Sequence, residues 1–205
     1  MNQKILCKCV LSMYPPPMNN DFIQAAFTPA LQNRAPFLEK LHAENTTCYR
    51  LFHGTNEGSS GLTIDRYGDY LLIQTWREVI QLEVLDELAA AVKRELGLSL
   101  IPVWNPRAKR GEVDHSLHPI EIPFEVLGTE MGLIYEVAPR HKGIDPLLFL
   151  DFRAGRRKIK EVAAEKTVLN LFSYTCGIGL AAASAGANEV INVDFSKYAL
   201  QTGEK

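Results

Sequence analysis

Residues 167–194 constrain the fold more than any other stretch of the chain. Val168-Leu169-Asn170-Leu171-Phe172 is a short, nearly continuous apolar run, the pattern of a strand buried on both faces. Ser173 to Gly179 read as a turn and Leu180 to Ala185 as a helix of small residues, which Gly186-Ala187-Asn188 ends. Val190 to Val193 follow as a second strand with Asp194 at its tip, and Ser196 is placed to cap one further helix. Strand, turn, small helix and strand make a βαβ unit, so the region is α/β with its two strands parallel.

The turn of such a unit carries backbone N–H groups to the carboxyl edge of the sheet, where nucleotide ligands bind. Glycines there let a ligand approach the backbone, and an acid at the next strand tip can hold the two hydroxyls of a ribose. Gly177, Gly179 and Asp194 meet these requirements, against the alternative of a purely structural turn. Gly177-Ile178-Gly179-Leu180-Ala181-Ala182 also fits the relaxed dinucleotide fingerprint. That fingerprint normally follows its strand at once, whereas Ser173-Tyr174-Thr175-Cys176 intervene here and the strand ends in Phe172. A pyrophosphate needs closer backbone approach than Phe172 and Tyr174 allow. S-adenosylmethionine carries no phosphate and tolerates a roomier, more aromatic turn.

Upstream, the chain reads as a different kind of domain. Residues 1–33, with Pro15-Pro16-Pro17 and Asn19-Asn20-Asp21, show no sustained period and are expected to be a loose extension. Residues 34–145 are expected to form a small α+β domain. It would hold a short helix in Ala35 to Asn45, strands at Leu62–Asp65 and Tyr70–Thr75 and a helix within 78–96 closed by Gly97. A hairpin is expected from the alternation through Ile120, Ile122, Phe124 and Val126 and again through Leu133, Tyr135 and Val137. Residues 146–205 then begin the Rossmann-like domain, with a helix over 151–165 that Asp151 is placed to cap.

VLNLFSYTCGIGLAAASAGANEVINVDFSKYAL resembles the nucleotide-binding start of the methyltransferase family that modifies large-subunit ribosomal RNA, whose loop reads close to Asn-Leu-Phe-x-Tyr-Thr-Gly/Cys. LLFLDFRAGRRKIKE is similar to the family's Phe-Leu-Asp-x-Arg-x-x-Arg signature, and RLFHGTNEGSSGLTIDRYGDYLLIQ to the small domain that precedes the catalytic one. Three segments in the correct order span roughly residues 34–205. The resemblance implies S-adenosylmethionine as cofactor and RNA, ribosomal RNA above all, as substrate. Asn170, Phe172, Tyr174, Thr175 and Gly177 would line the cofactor pocket, Asp194 would hold the ribose and Phe195 would lie beside the adenine. Phe149, Asp151 and Arg153 would close over the cofactor. Asp145-Pro146-Leu147-Leu148 departs from the family's usual approach to Phe-Leu-Asp, and the first 33 residues offer no counterpart to the RNA-binding module of some relatives.

The remaining chemistry-bearing residues give less. The family's cysteine nucleophile, where present, belongs to a later strand, so Cys176 is read as a buried thiol in a glycine position. Cys7, Cys9, Cys48 and Cys176 match neither a zinc nor a disulfide pattern and are expected to be reduced, as in a cytoplasmic protein. His115 and His118 have no third ligand nearby, so no metal is expected. With a net charge of −2 the chain has no global basic field. Arg153, Arg156, Arg157, Lys158 and Lys160 are then either a solvated helix face or a local phosphate contact, with Arg107, Lys109 and Arg110 a weaker patch. No run of about 18 apolar residues suits a membrane span.

About sixty residues of a domain class that needs roughly 150–200 lie in the 205-residue chain. The expectation is a C-terminal truncation that leaves catalytic and base-reading elements beyond Lys205, apolar surface on Val168, Leu171, Ile191 and Val193, and little activity in this portion alone. No residue is assigned as catalytic. An NAD(P)-binding oxidoreductase domain and a catalytically silent RNA-binding fragment are the competing readings.

Overall fold

The computed structural model describes residues 18–76, 80–107, 113–123, 125–141 and 146–204. Its first element is helical where a loose extension was expected. A short helix α1 (Asn20–Phe22), capped by the Asn19 side chain, runs through a π-helical turn (Ile23–Phe27) into α2 (Thr28–Ala43). Phe22, Ile23, Phe27, Ala30, Leu31, Leu38 and Leu41 are all buried on it. The π turn shifts the phase of the apolar positions, which hides their helical period from a sequence reading. The first 17 residues of that expected extension, Pro15-Pro16-Pro17 among them, lie outside the described residues.

A four-stranded sheet of order β1-β2-β3-β4 follows, with β1 (Cys48–His53), β2 (Leu62–Tyr67), β3 (Tyr70–Thr75) and β4 (Ile101–Pro106). β1, β2 and β3 are antiparallel neighbours, and Gly68 at φ 59 opens the two-residue turn between β2 and β3. α3 (Leu82–Leu96) returns the chain to β4, which lies parallel to β3, and ends on Gly97 at φ 70 as its composition predicts. β1 and β4 went unforeseen. β1 is interrupted by a bulge between Arg50 and Phe52, and β4 carries Pro102 and Pro106, which only its edge position tolerates. α2 and α3 cover one face of the sheet, closing a core around Phe27, Phe52, Leu88 and Trp104.

A hairpin packs on the opposite face, where Cys48, Tyr67, Leu72, Val126, Tyr135 and Val137 form a second core. Its strands are β5 (Val126–Glu130) and β6 (Leu133–Val137), so the expected strand from Ile120 is displaced toward the turn at Met131-Gly132. Pro119 and Pro123 supply no N–H to a ladder, and residues 120–123 form no strand. Phe124, part of that expected alternation, lies outside the described residues.

A 3-10 turn (Leu150–Phe152) leads into α4 (Arg153–Val162). Asp151 therefore lies inside the turn and not at the helix cap, which is Phe152 without a side-chain hydrogen bond. β7 (Thr167–Leu171), α5 (Gly177–Ser184), β8 (Glu189–Val193) and α6 (Lys197–Gly203) complete the chain. β7 and β8 are adjacent and parallel, from Thr167 opposite Glu189 to Leu171 opposite Val193. Ser196 caps α6 by accepting a hydrogen bond from the Ala199 N–H. On β7 and β8, Leu169, Leu171, Ile191 and Val193 are exposed, whereas Val168 is half-buried.

Candidate functional site

The loop from β7 to α5 is made by side-chain-bearing residues, not by its glycines. Phe172, Tyr174 and Cys176 all take left-handed backbone conformations, at φ 55, 49 and 60. Each costs on the order of 1–3 kcal/mol where glycine would be free, and such strain concentrates at functional loops. Cys176 thus stands at a position suited to glycine, as its reading as a replaced glycine implies. Its thiol is buried, and burial raises its pKa, the opposite of what a nucleophile requires.

The glycines serve space. A Cβ on Gly179 would lie 2.3 Å from Asn192 Oδ1, and the Asn192 side chain is itself held by the Asn170 Nδ2 donor at 2.9 Å. Gly179 therefore sets how closely α5 lies on β8, and through Asn192 it sets where Asn170 points. Gly177 differs: a Cβ there would make only ordinary contacts, 3.7 Å from Tyr135 and 3.8 Å from Arg156. Packing does not explain a glycine at 177, but a ligand passing close to the start of α5 would.

Asp194 reaches back from the tip of β8 to this loop. Its carboxylate accepts the Tyr174 N–H at 2.8 Å on one oxygen and the Ser196 N–H at 2.8 Å on the other. The Ser196 and Tyr174 amides hold its carboxyl below the usual range, so it is an anion at neutral pH. A carboxylate offers about four lone-pair sites. Two amides leave capacity for a diol.

Phe149, Asn170, Phe172, Tyr174, Thr175 and Gly177 line one cavity of about 230 Å³ beside the loop. Leu147, Leu148, Phe152, Arg156, Ser173 and Ile178 share it, none of them foreseen. The Phe149 and Tyr174 rings lie 5.4 Å apart, and the Thr175 hydroxyl donates to the Leu147 carbonyl at 2.8 Å, tying the loop to the Phe-Leu-Asp segment. Asp194 lies next to this cavity through Tyr174, and Phe195 projects into solvent at 91% exposure. Asp151 and Arg153 are not on it. They line a separate, larger cavity against the first sheet.

Arg153 is held by Glu130, at the end of β5 and fully buried. Its carboxylate accepts from Arg156 Nε at 2.5 Å and Nη2 at 3.1 Å, and from Arg153 Nε at 2.8 Å. Arg156 also donates to the Phe149 carbonyl at 2.8 Å, and Arg153 to the Cys48 carbonyl. Two arginines three apart share one helix face, a signal present in the sequence. Their acid was hidden because Gly-Thr-Glu-Met-Gly reads as a solvated turn. The rest of the basic stretch is also engaged, Arg157 with Glu44, Lys158 with Glu161 and Lys160 with the Met131 carbonyl. Arg153 and Arg156 are thus committed to Glu130, whereas the Arg157 and Lys158 side chains stay 47% and 69% exposed on the outer face of α4. Lys109 and Arg110 of the weaker patch lie outside the described residues.

This chemistry favours a cofactor without phosphate. The one guanidinium lining the loop cavity, Arg156, is committed to Glu130 and to a carbonyl. Aromatic, amide and hydroxyl groups remain, suited to a nucleoside and an uncharged or zwitterionic arm. At about 230 Å³ the cavity is smaller than the roughly 300–1,000 Å³ of ligand pockets in general, so it encloses a part of such a molecule. Elsewhere, His118 Nδ1 accepts the Trp104 N–H at 3.2 Å, and His115 Nε2 lies 3.2 Å from the His141 carbonyl.

Comparison with known proteins adds three findings. Residues 49–205 match the family model described as S-adenosylmethionine-dependent methyltransferase. Ribosomal RNA large subunit methyltransferase I of Aliivibrio fischeri (strain ATCC 700601 / ES114) is 33% identical over 202 residues, covering 90% of this chain and 48% of the relative. YwbD of Bacillus subtilis (strain 168), provisionally named a ribosomal RNA large subunit methyltransferase, is 32% identical over 185 residues, covering 87% and 45%. Among solved structures, SMU.776, provisionally described as a methyltransferase and crystallised with SAH, superposes with a TM-score of 0.70 at 32% identity over 89% of this chain and 46% of that one. The chain spans about half the length of the curated relatives it matches.

Proposed function

The chain belongs to the S-adenosylmethionine-dependent methyltransferase family, and from that premise we propose that it forms the cofactor-binding part of an enzyme that methylates bases of ribosomal RNA. The observation that carries the reading is the Asp194 carboxylate, drawn 20 residues back along the sequence onto the Tyr174 amide of a loop whose other members line one cavity. When bound, the cofactor supplies an electrophilic methyl group on a sulfonium. Around it Asp194 would accept the two ribose hydroxyls, fixed in place by two amides that leave its remaining lone pairs outward. Asn170, oriented by Asn192, would offer its amide from the floor of the cavity. Phe149, Phe172 and Tyr174 would cover the apolar parts and exclude water, with Phe195 against the adenine. Asp151 and Arg153 would act from the neighbouring cavity, Arg153 by holding the Phe-Leu-Asp segment to the first sheet. No residue here is proposed as catalytic.

RNA as the substrate rests on the relatives named as ribosomal RNA large subunit methyltransferases. The oxidoreductase alternative is disfavoured by the family match. Among the described residues no helix is long and apolar enough to cross a membrane, in keeping with a proposed site of action at the ribosome in the cytoplasm.

The test has two parts. Adenosylhomocysteine should raise the melting temperature of the protein while NAD does not, and Asp194→Ala should weaken its binding by about 1.5–3 kcal/mol through lost charge-assisted hydrogen bonds. Labelled methyl transfer to large-subunit ribosomal RNA by the protein expressed from its native gene then decides activity. Cofactor binding with no transfer to any RNA would favour the silent RNA-binding alternative.

A further inference from the structure

The second cavity, of about 580 Å³, lies between residues of β1–β3 and the segment 146–153. Its walls are unusual in what they leave unmade. Gln74 is only 6% exposed, yet its Oε1 is buried with no hydrogen-bond partner among the described residues, and the same holds for Nδ1 of His53. Leaving such groups unpaired is costly, so two of them on one wall are candidates for hydrogen bonds from a ligand. Around them stand three large rings that the fold leaves exposed, Trp76 at 41%, Phe37 at 55% and Phe149 at 44%. Trp76 is braced by the Arg107 guanidinium, 5.4 Å from its ring centroid.

The guanidinium groups on the cavity are already paired, and the Asp151 carboxylate adds a negative charge. Arg50 makes a two-point ion pair with buried Asp65 at 2.7 and 3.1 Å, Arg34 pairs with Glu57, and Arg153 pairs with Glu130. Such a wall does not suit a phosphate. Flat rings beside hydrogen-bonding groups, in a pocket whose guanidinium groups are committed and which carries the Asp151 carboxylate, suit a planar ligand with N–H donors on its edge, which is the chemistry of a nucleobase. Phe149 and Leu148 belong to both cavities, so a ligand here would lie against the cofactor cavity.

We propose that this cavity receives an unpaired base of the RNA strand, with Gln74 and His53 meeting its edge and Trp76, Phe37 and Phe149 offering stacking surfaces. The inference rests on the RNA methyltransferase reading above. Only a single-stranded nucleotide can present both its face and its edge, so the site selects unpaired RNA over duplex.

The chain has two tryptophans, and Trp104 is 1% exposed, so quenching of tryptophan fluorescence by a stacked base reports on Trp76. Titration of the full 205-residue chain with a fluorescently labelled single-stranded RNA octamer of mixed sequence should quench that emission, and the same octamer in a duplex should not. Anisotropy of the labelled RNA should show Gln74→Leu and Trp76→Ala weakening binding about tenfold each, with adenosylhomocysteine binding unchanged. RNA bound without quenching, and equally well by Trp76→Ala, overturns the base pocket and leaves the methyltransferase reading standing. No RNA bound by the wild-type chain also overturns the base pocket, while adenosylhomocysteine binding and methyl transfer by the native gene product decide the methyltransferase reading separately. Trp76 is partly exposed, so its variant and the wild-type quenching decide the matter even where Gln74→Leu fails to fold, as circular dichroism would reveal.

Discussion

Gly177 and Gly179 look alike in the sequence and do different work in the structure. Gly179→Ala would drive a methyl group into Asn192 and turn Asn170 away from the cavity floor. It should cost about 1–3 kcal/mol of stability, as overpacking does, and cofactor affinity with it. Gly177→Ala meets only ordinary contacts and should change stability by less than about 0.5 kcal/mol while still weakening adenosylhomocysteine binding. Thermal melts and calorimetry on the two variants separate the roles, and equal stability loss in both would refute the distinction. Cys48 illustrates a titration without function. Burial pushes its thiol up to about 11, so the folded state favours the protonated form. Stability owed to that preference is complete below the unfolded thiol's pKa and declines as pH rises through about 11. Iodoacetamide at pH 8 should therefore label Cys48 only after the chain unfolds, as peptide mass mapping would show.

At the scale of elements, the βαβ unit was legible because each piece carried its own signal: an apolar run, a small-residue helix, and an acid at a strand tip. α3 was equally plain from its apolar period and its closing glycine. α1 and α2 were obscured by the π turn, and β1 and β4 by a bulge and by prolines, all features whose tolerance depends on neighbours that a sequence does not display. The loop's residues could be named in advance, but not that Asp151 and Arg153 lie off the loop cavity while Phe149 lines both cavities. Glu130 draws both arginines toward the hairpin, and no local pattern in the sequence marks it as their partner. Glu130→Gln would leave two arginines facing a neutral amide, Arg156 only 4% exposed along its side chain. A loss of about 3–5 kcal/mol is expected for breaking a buried pair from one side. Urea unfolding measures it, and a change below about 1 kcal/mol would mean that the cluster is no anchor between the hairpin and α4.

At the scale of the whole molecule, the small sheet and the βαβ unit meet through the segment 146–153. Tyr67 of the sheet donates to the Leu148 carbonyl at 2.9 Å and Thr175 of the loop to the Leu147 carbonyl at 2.8 Å, so consecutive residues fasten the two halves. Both cavities share Leu148 and Phe149, so the proposed cofactor and base sites would be neighbours. Leu169, Leu171, Ile191 and Val193 meanwhile leave an apolar stripe exposed on the β7–β8 pair, and a loop cavity of about 230 Å³ that encloses only part of the cofactor predicts weak affinity for the 205-residue chain by itself. A method sensitive to weak binding is therefore the most direct test of the central claim that the β7–α5 loop and Asp194 hold S-adenosylmethionine. In amide-resolved NMR of the 205-residue chain, adenosylhomocysteine at millimolar concentration should shift the resonances of Asn170, Tyr174, Thr175, Gly177 and Asp194, and NAD should leave them in place. Shifts confined to other regions, or equal shifts with NAD, would contradict the account.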